Sequence, residues 1–208
     1  NLKLGSVTLI KFNADDAKET LKGAEFKLLR EDGKVIHPIL RTDDDGQIFV
    51  ANLQPGKYKF VETKAPNAFQ LNADPIAFEI LAGETSTIQV DAANELVTGS
   101  VRLTKTDGTS GEVLAGAVLT LFNEKDEVIK ENLTTDAEGN VLVEDLKPGD
   151  YYFVETKAPT DYQLDAEKLT FTIERSGSTE KQKAVTVSAE NELIPGSVVL
   201  TKVDKHSA

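Results

Sequence analysis

One six-residue string constrains this chain more than any other feature: Val61-Glu62-Thr63-Lys64-Ala65-Pro66 returns as Val154-Glu155-Thr156-Lys157-Ala158-Pro159. Around it, Leu53-Gln54-Pro55-Gly56 returns as Leu146-Lys147-Pro148-Gly149. Gly5-Ser6-Val7 returns twice, as Gly99-Ser100-Val101 and Gly196-Ser197-Val198. The offsets run from 93 to 97 residues, a whole small domain per repeat and far longer than the ~20–45 residues of a solenoid unit. The 208 residues therefore divide into a first copy (1–97), a second copy (98–195) and the opening strand of a truncated third repeat (196–208). Asn1 reads as the last trace of a copy before the first.

Within a copy, short alternating runs are separated by turn residues at close spacing, the pattern of an all-β sandwich. In the first copy the runs place strands near residues 7–12, 24–30, 35–41, 47–53, 57–63, 75–81 and 86–93. Asp44-Asp45-Gly46 and Pro55-Gly56 supply the turn chemistry. No stretch carries a helical period. Between copies there is no Gly/Ser-rich or Pro-rich linker, only Glu95-Leu96-Val97-Thr98 and Glu192-Leu193-Ile194-Pro195, so a fairly stiff rod of domains is expected.

Alternate residues of a strand share a face, and that parity exposes three polar residues on the apolar side. Lys11 shares parity with Val7 and Leu9, as Lys105 does with Val101 and Leu103, and Lys202 with Val198 and Leu200. Glu62 falls with Tyr58 and Phe60, and Glu155 with Tyr151 and Phe153. In the last strand of each copy Asn94 falls with Ile88, Val90 and Ala92, and Asn191 with Val185, Val187 and Ala189. Each full copy thus aims one Lys, one Glu and one Asn at its core.

Burying an unpaired amine or carboxylate is costly, so such groups neutralise, pair or react. Desolvation favours the neutral amine, a nucleophile, and the protonated acid, a proton shuttle. The Asn carboxamide is an electrophile. Attack of the lysine Nζ on the Asn Cγ, with Glu polarising the amide oxygen and passing protons, yields an isopeptide bond and ammonia. The candidate crosslink residues are Lys11 with Asn94 and Lys105 with Asn191, and the candidate catalytic residues are Glu62 and Glu155. The plainer reading has the lysine snorkelling at a strand end, the Glu salt-bridging it and the Asn closing a strand. Three coincident parities in both copies favour the reactive reading.

These residues give the chain a specific likeness. It resembles tandem Cna B-type (SpaA-like) domains of Gram-positive wall-anchored adhesins and pilus proteins, through Lys105-Thr106-Asp107 and Lys202-Val203-Asp204, the Glu-Thr-Lys-Ala-Pro segments and the Asn-Glu-Leu that ends each copy. The resemblance covers essentially the whole chain. It implies two tandem Ig-like or prealbumin-like β-sandwich domains, with Lys–Asn or Lys–Asp isopeptide bonds assisted by the Glu. The match departs at Lys11-Phe12-Asn13, where the family usually carries an Asp. Asn13 is expected on the face opposite Lys11.

Charge and composition narrow the function further. The net charge of −12, from 35 acidic and 23 basic residues, repels phosphate backbones and anionic lipid heads, so neither nucleic acid nor a membrane is an expected partner. Cysteine is absent, which removes disulfides, zinc–thiolate sites and thiol catalysis. Asp43-Asp44-Asp45-Gly46 reads as a turn and not a calcium loop, since Arg41 stands at the first ligand position of an EF-hand frame. His37 and His206 have no partner spacing and are expected to be solvated. No metal and no cofactor is expected.

With no Met, no apolar run of membrane length and no signal peptide, the chain is expected to be an internal piece of a longer protein whose secretion and anchoring signals lie elsewhere. The expected function is a structural stalk: extracellular, at the cell surface, each copy stiffened against tension and proteolysis by its own bond. Its expected partners are neighbouring repeats of the same chain. The alternative is an adhesin module that binds a host extracellular-matrix or cell-wall ligand through loops at the sandwich ends. Phe69 and Tyr162 are the aromatic candidates for it, but both copies have an aromatic there, which favours packing. A turnover enzyme is the least expected class, because the one reactive constellation consumes itself.

Overall fold

Runs that alternate apolar and polar residues bury a single face only as strands, and every helix or strand among the described residues is a β-strand. The structure is a computed structural model that describes residues 3–202; Asn1 and His206 lie outside them. It folds as two compact units, one built around each copy of the repeat.

The first copy contains β1 (Gly5–Asn13), β2 (Asp16–Thr20), β3 (Glu25–Arg30), β4 (Val35–Arg41), β5 (Gln47–Leu53), β6 (Gly56–Lys64), β7 (Ile76–Ile80) and β8 (Thr87–Asn94). One sheet has β1 at its centre, antiparallel to β5 and parallel to β8, with β2 pairing the far end of β1. The other runs β4-β3-β6-β7. Val7 and Leu9 of β1 pack with Phe26 and Leu28 of β3, Tyr58 and Phe60 of β6, and Phe78 of β7 in one core. Phe78 stacks on both Tyr58 and Phe60. Burying rings of this size contributes roughly 1.5–3 kcal/mol each.

The second copy repeats this with β9 (Gly99–Asp107), β10 (Val118–Asn123), β11 (Val128–Thr134), β12 (Asn140–Leu146), β13 (Gly149–Lys157), β14 (Leu169–Ile173) and β15 (Val185–Asn191). Its sheets run β12-β9-β15 and β11-β10-β13-β14, and β15 lies parallel to β9. Phe171 stacks on Tyr151 and Phe153, as Phe78 does on its partners.

In both copies the first and last strands are therefore adjacent and parallel. Lys11 stands opposite Ala92 and Asn13 opposite Asn94; Lys105 stands opposite Ala189 and Asp107 opposite Asn191. This pairing of chain ends gives the inward parities of the sequence a common destination.

Two expectations fail. Asn13 does not face away from Lys11. It is buried with Val7, Leu9 and Lys11 on the inner side of β1, because residues two apart in a strand share a face. The strand β2 was also not anticipated, since Asp16-Ala17-Lys18-Glu19-Thr20 has no apolar alternation. It forms as an exposed edge that pairs with β1 across a register shift at Phe12/Asn13. Residues 196–202 carry the same motif as β1 and β9 but form no strand; Val198 is 95% exposed. The homologous strands β1 and β9 are each held on both sides by later strands of their own copy. His37 is half-buried on β4.

Candidate functional site

The site of each copy is assembled from the first strand, the facing sheet and the last strand. Lys11 comes from β1, Glu62 from β6 and Asn94 from β8, and their exposures are 1%, 2% and 1%. In the second copy Lys105 comes from β9, Glu155 from β13 and Asn191 from β15, with exposures of 1%, 2% and 2%. All six residues that parity singled out in the two full copies are buried, and each triad converges; the seventh, Lys202, is exposed.

The carboxylate lies between the two nitrogens. Glu62 Oε1 is 3.3 Å from Lys11 Nζ, while Glu62 Oε2 accepts a hydrogen bond from Asn94 Nδ2 at 2.8 Å. The second copy gives 3.2 Å from Glu155 Oε1 to Lys105 Nζ and 2.9 Å from Asn191 Nδ2 to Glu155 Oε2. Oε1 meets the ammonium as an ion-pair contact and not as an aligned hydrogen bond. The Asn Oδ1 has no hydrogen-bond partner in either copy. The sequence reading gave Glu the amide oxygen to polarise; in the structure it meets the amide nitrogen.

Backbone groups complete the cage. The Asn72 N–H donates to Glu62 Oε2 at 2.8 Å, and the Asp165 N–H to Glu155 Oε2 at 3.0 Å. The second Nδ2 hydrogen of each Asn goes to a carbonyl, that of Gln70 in the first copy and that of Gln163, at 2.8 Å, in the second. Lys105 Nζ also donates to the Glu190 carbonyl at 3.1 Å.

On the nucleophile side, the Lys11 N–H donates to the Gly46 carbonyl at 2.8 Å, and Lys105 to Gly139 likewise. Both glycines have positive φ, 74° and 72°. A Cβ on either would lie 2.7 Å from the lysine's own carbonyl oxygen. Only glycine adopts that turn and allows so close an approach.

Electrostatics follow from burial. Desolvation pulls the Lys11 pKa below its ordinary value, against the charge of Glu62, which favours the ammonium. A buried pair of this kind recovers its desolvation cost only with good geometry and further hydrogen bonds, and here the backbone donors on Oε2 supply them. Phe26 lines the amine side, with Lys11 Nζ 5.7 Å from its ring centre. Among the described residues, no group of three or more His, Cys, Asp or Glu side chains is placed to hold a metal ion.

Sequence reasoning missed the contributions made through main-chain atoms, namely the carbonyls of Gln70 and Gln163, the amides of Asn72 and Asp165, and the glycine turns. Two recurrences could have signalled them: Gln70-Leu71 with Gln163-Leu164, and Asp43-x-x-Gly46 with Asp136-x-x-Gly139. Phe69 and Tyr162, the aromatics considered for a ligand face, instead bridge to Leu96 and Leu193 after the last strands. Phe69 is buried in a small cluster with Leu21 and Ala68.

Comparison with known proteins gives the two copies the same relatives. The SpaA family model, a prealbumin-like fold domain, matches residues 5–95 and again 99–189. Among solved structures the chain is similar to the Bacillus anthracis TIE protein, at 29% identity and a TM-score of 0.52, over 91% of this chain and 34% of that one. It is also similar to a streptococcal ancillary pilin (25% identity, TM-score 0.42, 93% of this chain and 63% of that one). A third similarity is to GBS52, the minor pilin of Streptococcus agalactiae (22%, TM-score 0.44, 95% and 100%). The chain thus spans about a third of the length of the first of these and less than two thirds of the second. No curated protein sequence matches it.

Proposed function

The chain belongs to the family of SpaA prealbumin-like domains, through both of its copies, and from that premise we propose that it is a tension-bearing segment of a bacterial surface protein in which each copy closes its own Lys–Asn isopeptide bond. The observation that carries this reading is the position of one buried carboxylate, in both copies, between an amine that must lose a proton and an amide nitrogen that must leave with one more.

The atoms balance. The ammonium first yields a proton to Glu, leaving a neutral pair, which a desolvated lysine favours. Nζ attacks the Asn Cγ; the Nζ–Cγ bond forms and the Cγ–Nδ2 bond breaks. Glu delivers a proton through Oε2 to Nδ2, takes one from Nζ through Oε1, and passes that last proton to the departing ammonia. It ends again as the carboxylate, and the ammonia leaves as ammonium. Fixed geometry in a dry core supplies ~7–11 kcal/mol of such a barrier. The reaction happens once per copy, so the domain is its own substrate and not a turnover enzyme.

The mechanical reading follows from topology. Tension enters a copy at its first strand and leaves at its last, and these are neighbours in one sheet. A covalent bond between them carries the load past the intervening residues. Lys11 and Asn94 are 83 positions apart and Lys105 and Asn191 are 86. By analogy with a disulfide, closing loops of this length stabilises the fold by ~4–5 kcal/mol, and reductants cannot undo it. Such a segment belongs outside the cell, on the surface, with neighbouring repeats as its partners.

Intact-mass measurement tests the reading directly. The expected mass is two ammonias below the sequence value, and a folded chain at the full sequence mass refutes it. Glu62→Ala and Glu155→Ala are each expected to retain one ammonia. After denaturation and amine labelling, Lys202 should carry the label, while Lys11 and Lys105 should not.

A further inference from the structure

The exposed glutamines beside the two triads share an arrangement that their surroundings do not explain. The Gln70 N–H donates to the Glu95 carbonyl at 2.8 Å and its Nε2 to the Leu96 carbonyl at 2.8 Å, while its own carbonyl accepts from Asn94 Nδ2. Gln163 makes the same three bonds: 2.9 Å to Glu192, 3.1 Å to Leu193 and 2.8 Å from Asn191. One residue therefore grips the two residues that follow the Asn and, through its backbone, the Asn side chain itself. Leu71 and Leu164 follow the two glutamines alike, but the residues around them differ, with Phe69 and Asn72 in one copy and Tyr162 and Asp165 in the other. A solvent-facing glutamine also gives up side-chain freedom to make the outer bond.

We infer that Gln70 and Gln163 are positioning residues for the electrophile, locking the carboxamide plane so that Cγ faces the lysine. This rests on the proposed crosslink. A carboxamide has two N–H donors, and here one goes to Glu Oε2 and the other to the Gln carbonyl. With both held, rotation about the Cβ–Cγ bond is blocked. The outer Nε2 bond ties the chain after the Asn to the loop that provides that carbonyl. Cutting it lets the two separate, and misplacement of a reacting group by ~1 Å costs up to ~100-fold in rate.

The test uses the full chain made by cell-free synthesis, with ammonia loss in each copy followed over time by peptide-resolved mass. Gln70→Ala, and Gln70→Glu with the same shape but no donor, should slow closure in the first copy at least about tenfold. The second copy of the same molecule serves as the internal standard. Gln70→Lys, which restores a donor of similar reach, should recover most of the rate. Gln163 variants should do the same to the second copy alone.

A second measurement separates positioning from general stability. In a Lys11→Met chain, which cannot close the first copy, the Asn94 side-chain amide should give two distinct, slowly exchanging proton signals. Adding Gln70→Ala should leave two signals but speed their exchange with solvent. Wild-type closure rates together with unchanged Asn94 signals overturn the inference and leave the crosslink standing. If the wild-type chain loses no ammonia, the crosslink reading fails, and the Asn94 signals still decide whether Gln70 fixes the carboxamide.

Discussion

The two copies hold the same triad and support it differently. At the end of β1, buried Asn13 donates from Nδ2 to Glu19 Oε2 at 2.8 Å and accepts the Asp15 N–H at 3.0 Å. At the end of β9, buried Asp107 accepts the Thr109 and Ser110 N–H groups at 2.7 Å each, and the Tyr162 hydroxyl at 2.8 Å. The residue in the place of Tyr162 in the first copy is Phe69. The exchange of Asp for Asn thus comes with an exchange of Tyr for Phe and with a short strand, β2, that brings Glu19 within reach. The second copy has only an isolated bridge there, Thr106 to Val113. A buried carboxylate wants donors alone, whereas a buried amide needs an acceptor as well. The difference teaches that the position two residues after the lysine must be satisfied, and that the fold permits more than one way.

Four experiments break or sharpen this comparison, the largest effect first. Asn94→Ala and Asn191→Ala remove the electrophile but keep each Lys–Glu pair. Each should cost its own copy about 4–5 kcal/mol, nearly equally, because the closed loops are nearly equal in length. Peptide-resolved hydrogen exchange in denaturant reads this, and strongly unequal losses would mean that the copies do not share one bond chemistry.

The second concerns rate. Because burial lowers the Lys11 pKa from 10.5, the neutral amine appears at lower pH than in an exposed lysine. Because the ammonium proton passes to Glu62 within the pair, closure of the first copy should be nearly independent of pH while the pair keeps that shared proton. It should slow at higher pH, once the pair loses the proton and no acid remains for Nδ2. Lys105 has a bond to the Glu190 carbonyl to give up, so the second copy should be slower at each pH. Timed mass measurements across pH check both, and a rate that climbs about tenfold per pH unit or a faster second copy breaks the argument.

Third, Tyr162→Phe takes a donor from Asp107 and should lower the melting temperature of the second copy by a few degrees. Phe69→Tyr should bring no matching gain, since Asn13 is already satisfied. In a double-mutant cycle, Asp107→Asn with Tyr162→Phe should cost less than the sum of the single changes. Additive costs would show that the two residues are uncoupled.

The smallest effect is in acid. Hydrogen bonds from the Ser110 N–H, the Tyr162 hydroxyl and the Thr109 N–H hold the Asp107 carboxyl below its ordinary value of 3.8. A depressed carboxyl pKa contributes stability that is fully present above the unfolded value and is lost as pH falls through the folded one. Below pH ~4 the second copy should therefore weaken through Asp107, while Asn13 contributes no such loss to the first. Asp107→Asn should flatten that dependence, and an unchanged acid profile in the variant would remove Asp107 as its source.

Much of this was legible in the sequence because it is periodic. The repeat stands in plain strings, and a period of two placed Lys11, Glu62 and Asn94, and their counterparts, on buried faces before any contact was known. The same rule, misapplied, put Asn13 outside, although its separation from Lys11 makes it an inner residue. The strand β2 was not legible because an exposed edge strand buries nothing and so leaves no apolar alternation.

By itself, then, the sequence determined the two copies, the all-β class and the identity of the three inward polar side chains, since each depends on local alternation or on repetition. Tertiary structure decided how they meet. The last strand lies parallel beside the first, Glu presents one oxygen to each nitrogen, and the Asn amide is pinned by the carbonyls of Gln70 and Gln163. Those facts depend on pairings between residues ~85 positions apart and on main-chain atoms, which every residue carries alike. Side-chain pattern says which face a residue points to, and only the closed fold says what stands opposite.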